Sequence, residues 1–295
     1  MLEKLLFATA RAMKPGSSAT LADVLRYFRG PAAMVRPNSF ILKAGVKSEQ
    51  RKCGGLSGTF LTPKQFNEST LILYLHSGGY VGGPFINEWE FLSYLANELK
   101  TSAFLPDYPL APENPYPAAF NEVHEVYNTL AVDYPHIFLI GSSAGGGLAL
   151  ALLNHVVERR ENAPLAACLL SPWVDLNPDK HNGYSNEGKD AFLNDRILSL
   201  SSEAYAGHDN YSNPRISPIN AKNIGLPPCY LSSGSDEIFA NDIRLLAKKM
   251  EENSCNVVYH EGKNQPHIWP TFFMIPETKR EIRKIGEFLL SHLDR

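Results

Sequence analysis

No stretch of this sequence is both long and apolar enough to read as a membrane span. The longest uncharged window, 137–157, has the length of one. It holds Ser142, Ser143, three consecutive glycines and His155, so a strand, a tight turn and a buried helix account for it better. The N-terminal MLEKLLFATARAMKPG lacks the pattern of a signal peptide, because its apolar stretch from Leu5 to Ala10 is short and Arg11 follows directly. Long runs of like charge are missing too, and so are internal repeats and low-complexity tracts. With a formal net charge of −3 and a pI near 6.3, the chain is not built mainly to grip nucleic acid or an anionic membrane. Cysteine is scarce: Cys53, Cys168, Cys229 and Cys255, none at metal-site spacing. Cys168 and Cys229 sit in apolar runs (AACLLS, PPCYLSS) and read as small buried hydrophobes. A reducing compartment fits, and the expectation is a soluble, cytoplasmic protein.

What is present is ordinary globular material. The 295 residues are 44% hydrophobic and 20% charged, which excludes a disordered tail, a collagen-like repeat and a coiled-coil rod. A chain of this length buries roughly 75% of its unfolded surface and needs no disulfide or metal to hold together. Helices are predicted at 2–13 and at Leu21–Phe28, the second with Thr20 as N-cap. From Phe40 to Thr62 the pattern suits antiparallel strands with glycine turns. Then short apolar strands (Leu71–His76, Ser102–Pro106, Ile137–Ile140, Ala166–Leu170, Tyr230–Ser232, Asn256–Tyr259) alternate with helical segments (86–100, Ala118–Asp133, Gly145 to Arg160, Ile238–Asn253, Thr278–Leu293). Continuously apolar strands alternating with helices predict a mostly parallel sheet covered on both faces. The polar interval 176–218 breaks this rhythm and reads as a functional insertion.

The chemistry centres on IFLI-GSSAG-GGLALALL. Gly141-Ser142-Ser143-Ala144-Gly145 fits G-x-S-x-G between an apolar strand and an apolar helix. That turn projects its serine hydroxyl out of the sheet and needs glycine-sized flanks. The helix start adds free N–H groups and a positive dipole end. A phosphate loop is excluded, since no Lys-Ser/Thr follows the glycines, and no G-x-G-x-x-G fingerprint is present. Upstream, His76-Ser77-Gly78-Gly79-Tyr80 follows the strand LILYL. Adjacent N–H groups there are suited to a developing oxyanion.

A serine nucleophile needs a base, and the base needs an orienting acid. On this type of turn they follow the serine in the order acid, then histidine, each at a strand end. Asp236 follows the strand CYLSS, and His267 lies in a loop after NVVYH. Ser143, Asp236 and His267 are therefore the expected catalytic residues. His260 is a rival base at a strand end. Glu237 and Asp242 are rival acids, with Glu237 expected to point away and Asp242 to lie on a helix. His124, His155 and His292 read as helical packing or surface residues, and His136, His181 and His208 as loop residues. No His/Cys/Asp/Glu spacing suggests a zinc site.

Together these segments resemble the hormone-sensitive lipase-like branch of the α/β-hydrolases, over residue 55 to the C-terminus. His76–Tyr80 is similar to that family's His-Gly-Gly-Gly-aromatic motif, and Asp107-Tyr108-Pro109-Leu110-Ala111-Pro112-Glu113 to its Asp-Tyr-Arg-Leu-Ala-Pro-Glu segment. Gly141–Gly146 resembles its nucleophile elbow, and Ser171-Pro172-Trp173-Val174-Asp175-Leu176 a further family segment. Ser77 stands in place of the first glycine, Pro109 in place of arginine, and Ser142 in place of the common Asp or Thr. The stretch from Gly262 to His267 is about two residues longer than usual.

The resemblance implies an α/β-hydrolase fold, with 1–40 and an insertion at 176–218 capping a catalytic domain of 41–295. It implies Ser143 as nucleophile, His267 as base and acid, and Asp236 as its partner. The N–H groups of Gly78, Gly79 and Ala144 would form an oxyanion hole. The expected activity is hydrolysis of short- to medium-chain carboxylic esters without cofactor or metal, on a small-molecule substrate. No nucleic-acid partner and no stable membrane insertion are expected, and a homodimer is compatible. A ligand-binding module without catalysis, and a serine hydrolase of amides or lactones, are the alternatives. Trp89, Trp173 and Trp269 are candidates to line the pocket.

Overall fold

The computed structural model describes residues 2–30, 33, 36–38, 40–181, 186, 188–207 and 210–293. Eight strands form one sheet: β1 (Lys47–Cys53), β2 (Leu56–Thr62), β3 (Asn67–Leu75), β4 (Thr101–Pro106), β5 (His136–Ser142), β6 (Ala166–Leu170), β7 (Cys229–Gly234) and β8 (Val257–Gly262). Their order is β1-β2-β4-β3-β5-β6-β7-β8. Strand β2 is antiparallel to both β1 and β4, and every other pairing is parallel. The helices are α1 (Leu2–Met13), α2 (Leu21–Phe28), α3 (Ile86–Leu99), α4 (Ala118–Asp133), α5 (Ala144–Glu158), α6 (Pro178–His181), α7 (Asp195–Ala206), α8 (Ala240–Glu252) and α9 (Thr278–Leu290).

The apolar strands are continuous because both faces of the sheet are covered, and successive side chains leave on opposite faces. Leu71, Leu73 and Leu75 of β3 join one core with α4, α5 and α8. Ile72 and Tyr74 of the same strand join another with α3 and α9. Strand β5 divides in the same way, with Ile137 and Leu139 on one side and Phe138 and Ile140 on the other. Cys53, Cys168 and Cys229 are buried, and Cys255 is half-buried; all four are free thiols. No helix among the described residues is long and apolar enough to cross a membrane.

One segment departs from the predicted pattern. Residues 40–46 form turns before β1, since the carbonyl of Asn38 takes the N–H groups of Ile41 and Leu42. The interval 176–218 carries α6 and α7. Helix α7 is N-capped by Asn194, whose side chain accepts from the Ile197 N–H. This interval is tied to the N-terminal segment. Lys14 Nζ donates to the carbonyls of Asp190 and Leu193, Tyr27 Oη to that of Phe192, and Arg196 Nε to that of Ala19.

Candidate active site

Four sheet segments converge at the carboxyl ends of the parallel strands. Ser143 follows the last residue of β5 at positive φ (φ 53°, ψ −120°) and stands at the N-cap of α5. Its N–H donates to Leu170 O, and its carbonyl accepts from the N–H groups of Gly147 and Trp173. The turn is so tight that a Cβ at Gly145 would lie 2.1 Å from Leu75 O, which explains the glycine. A non-glycine residue held at positive φ in such a turn is strained backbone kept in place by its surroundings.

His267 is buried, and its Nε2 lies 2.8 Å from Ser143 Oγ. Its Nδ1 lies 3.1 Å from Glu237 Oε2. An ionised carboxylate only accepts, so Nδ1 carries the proton and Nε2 is left to accept from the serine hydroxyl. Phe239 packs edge-on against the imidazole, with centroids 5.3 Å apart. The loop is fixed by the Ile268 N–H, which donates to Ser171 Oγ.

The acid beside His267 is therefore Glu237, and the expectation for Asp236 is corrected. Asp236 is half-buried, its N–H donates to Gln265 O, and its carboxylate accepts from the Ser235 hydroxyl. Glu237, one residue further round the turn, is fully buried and aimed at the imidazole. Its backbone is held from the 176–218 interval: Asn186 Nδ2 donates to Ser235 O and Glu237 O, and the next N–H, of Ile238, donates to Asp190 Oδ2. Burial raises the Glu237 carboxyl above its ordinary range, with the Asp190 charge adding to this, while His267 and the Ser171 hydroxyl oppose it.

Gly78 and Gly79 have φ of 120° and 62°. A Cβ at Gly78 would lie 2.2 Å from Gly82 O. Among the described residues, the N–H groups of Gly78, Gly79 and Ala144 have no hydrogen-bond acceptor. The loop rests on a buried layer in which His76 stacks on Tyr108 at 4.1 Å and Tyr108 Oη donates to His76 O. Burial lowers the His76 pKa. A second layer is built around Glu88 on α3, which is fully buried. Its Oε1 accepts from Tyr74 Oη (3.0 Å), Ser142 Oγ (2.5 Å) and the Ser77 N–H (2.8 Å), and its Oε2 from the Phe85 N–H (3.1 Å).

Above Ser143 and His267 lies a cavity of about 810 Å³, walled by Phe28, Phe85, Trp173, Ile197, Phe192 and Phe239 among others. Of the three tryptophans only Trp173 borders it; Trp89 and Trp269 are buried elsewhere.

The other titratable groups are accounted for away from this site. His260 Nδ1 faces Glu281 Oε2 at 2.8 Å, and Asp242 lies in the first turn of α8. His136 begins β5, His181 ends α6, and His292 falls in the turn after α9; His208 lies outside the described residues. His124, His155 and Glu161 bring three potential ligand atoms within 4.8 Å, the one such group among the described residues. Arg215 donates to His155 Nδ1 and Arg159 to Glu161, so the cluster is already engaged by two cations. Burial and Arg215 lower His155 to about 4.

Glu237 figured in the sequence only as a rival acid expected to point away, and Glu88 did not figure at all. The second left a trace, because a glutamate at position 88 shares a helical face with Phe91, Leu92 and Leu95.

The profile of the α/β-hydrolase fold family matches residues 72–271. An esterase of Acinetobacter venetianus is 31% identical over 98% of this chain and 95% of its own length. An acetyl-hydrolase of Streptomyces hygroscopicus is 28% identical over 80% of each chain. An esterase of the bacterial hormone-sensitive lipase family superposes with a TM-score of 0.80 at 29% identity, over 94% of this chain and 99% of the other. An esterase/lipase from an uncultured bacterium gives 0.87 at 26% identity, over 99% and 98%. The chain belongs to the α/β-hydrolase fold family, among its hormone-sensitive lipase-like esterases.

Proposed function

We propose that the protein hydrolyses carboxylic esters of short to medium acyl chains through an acyl-enzyme, with Ser143, His267 and Glu237 as the triad. The observation that carries this is the unbroken line from Ser143 Oγ to His267 Nε2 and from His267 Nδ1 to Glu237. His267 takes the hydroxyl proton as Ser143 Oγ bonds to the ester carbonyl carbon. The carbonyl oxygen gains the negative charge and is held by the N–H groups of Gly78, Gly79 and Ala144. The C–O bond to the alcohol breaks, and His267 Nε2 protonates the departing alcohol. Water then attacks the acyl-enzyme by the same route and releases the acid and the serine. Glu237 stabilises the imidazolium and fixes its tautomer. Losing one oxyanion donor typically slows such reactions by about 100- to 1000-fold.

Residues 1–40 and 176–218 serve as the cap in this reading, over a catalytic domain of 41–295. A cavity of about 810 Å³ holds a small ester and falls within the usual range of ligand pockets. The proposal requires neither cofactor nor metal, and it does not depend on a homodimer. The test is p-nitrophenyl ester hydrolysis from acetate to laurate, wild type beside Ser143→Ala. Serine-dependent release that peaks at short or medium chains is expected. Equal rates for the two proteins would overturn the assignment.

A further inference from the structure

We propose that Glu88 is a positioning residue that locks the oxyanion loop to the nucleophile elbow. The inference rests on the esterase reading above. One oxygen, Glu88 Oε1, is shared by three elements. Ser142 Oγ reaches it from the residue before the nucleophile, the Ser77 N–H from the residue before Gly78, and Tyr74 Oη from β3 between them. The other oxygen takes the Phe85 N–H at the start of α3. The carboxylate has no cation among these partners, only four neutral donors, and it is fully buried.

Burying a carboxylate is costly unless its oxygens are fully hydrogen-bonded. Those four bonds therefore orient the groups that make them. With the Ser77 N–H drawn inward onto Glu88, the His76–Ser77 peptide is fixed one residue before Gly78. The following N–H groups of Gly78 and Gly79 are left without internal partners. The same oxygen holds Ser142, so the spacing between these donors and Ser143 is set by one atom. The elbow here has serine where Asp or Thr is common. In this chain the carboxylate is delivered to the elbow from α3, by a residue that touches neither Ser143 nor His267 directly.

The experiment combines Glu88→Gln, Ser142→Asp and the double variant, each checked for folding by circular dichroism. A glutamine amide cannot accept at both ends. Glu88→Gln should lower kcat about 10- to 100-fold with KM within about threefold. Affinity for an alkylboronic acid, which forms a tetrahedral adduct on a catalytic serine, should weaken in step. In the Glu88→Gln background, Ser142→Asp should restore kcat to within about threefold of wild type by returning one carboxylate from the other side. Ser142→Asp alone crowds two carboxylates at one site and should lower kcat. Should Glu88→Gln fail to fold, Ser142→Ala carries the test, with an expected fall in kcat of about 3- to 10-fold and an unchanged KM. The proposal is overturned if folded Glu88→Gln keeps its kcat and boronate affinity, if Ser142→Asp brings no rescue, or if Ser142→Ala is unaffected. A wild type inert on all esters would instead overturn the esterase reading.

Discussion

At the scale of single residues, the two acids after β7 separate what the sequence shows from what it hides. Asp236 and Glu237 are adjacent, of one charge type, and both follow a strand end. The turn that carries them decides between them, because it sends the Asp236 N–H to Gln265 O and buries Glu237 against His267. Glu237→Gln is expected to reduce kcat by about 100- to 10,000-fold, as loss of the orienting acid does in other triads. Asp236→Asn should stay within about threefold, and kcat measured on one p-nitrophenyl ester decides between them. Stability follows a different sign. The Glu237 pKa is raised in the folded state, so its contribution is fully present below the unfolded carboxyl value and is lost as the pH rises through the folded one. Relative to wild type, the Tm of Glu237→Gln should therefore rise as the pH climbs above the ordinary carboxyl range. A variant that is slower yet relatively more stable at neutral pH would mark Glu237 as kept for catalysis. Ser143 had no such rival, and His260, the rival of His267, faces Glu281 instead.

At the scale of elements, α2 was legible to the residue. Thr20 caps it as the sequence suggests, the structure adds Asp23 as the reciprocal partner, and Phe28 ends the helix. What the helix is for was not legible, because that depends on contacts more than fifty positions away. Arg29, just past its end, donates to Val81 O, Ala111 O and both oxygens of Glu113. The tie holds α2 against the loop of Gly78 and Gly79, where Phe28 also lines the cavity. Hydrogen bonds from Arg29 hold the Glu113 carboxyl down at about 2. A depressed carboxyl contributes above its unfolded pKa and loses that contribution as the pH falls through the folded one. The Tm difference between wild type and Glu113→Gln should thus be present at pH 6 and fade toward pH 2. The pair is solvent-exposed on the glutamate side, so the difference corresponds to no more than about 1 kcal/mol. A difference that persists unchanged at pH 2 would mean that the pair is not its source.

At the scale of the molecule, the alternation of strands and helices foretold a parallel sheet, but not the order β1-β2-β4-β3-β5-β6-β7-β8. That order places β5, which leads into Ser143, between β3, which leads to the loop of Gly78 and Gly79, and β6, with Glu237 in the turn after the next strand across, β7. The polar interval 176–218 was legible as an excursion, but its attachment was not, because the contacts are single polar groups with no periodic signal. Asp190 is the joint of that attachment. It is fully buried, its Oδ1 accepts from Phe192 and Leu193, its Oδ2 accepts from Ile238, and its carbonyl accepts from Lys14. One residue thus links the N-terminal segment, the insertion and the loop of Glu237. Asp190→Asn would set an amide N–H₂ against either the Ile238 N–H or those of Phe192 and Leu193, leaving buried donors unpaired at a cost of about 1–3 kcal/mol. It would also remove a negative charge that raises the Glu237 pKa. The expected result is a lower Tm and a kcat reduced about 3- to 10-fold, with Glu237 titrating lower than in wild type. Lys14→Met separates the two effects, because it loosens the N-terminal segment and leaves the carboxylate in place. If the N-terminal helices only shape the cavity, Lys14→Met should raise KM and spare kcat. If it lowers kcat as far as Asp190→Asn does, the seating of the N-terminal segment and the alignment of the triad are one cooperative event.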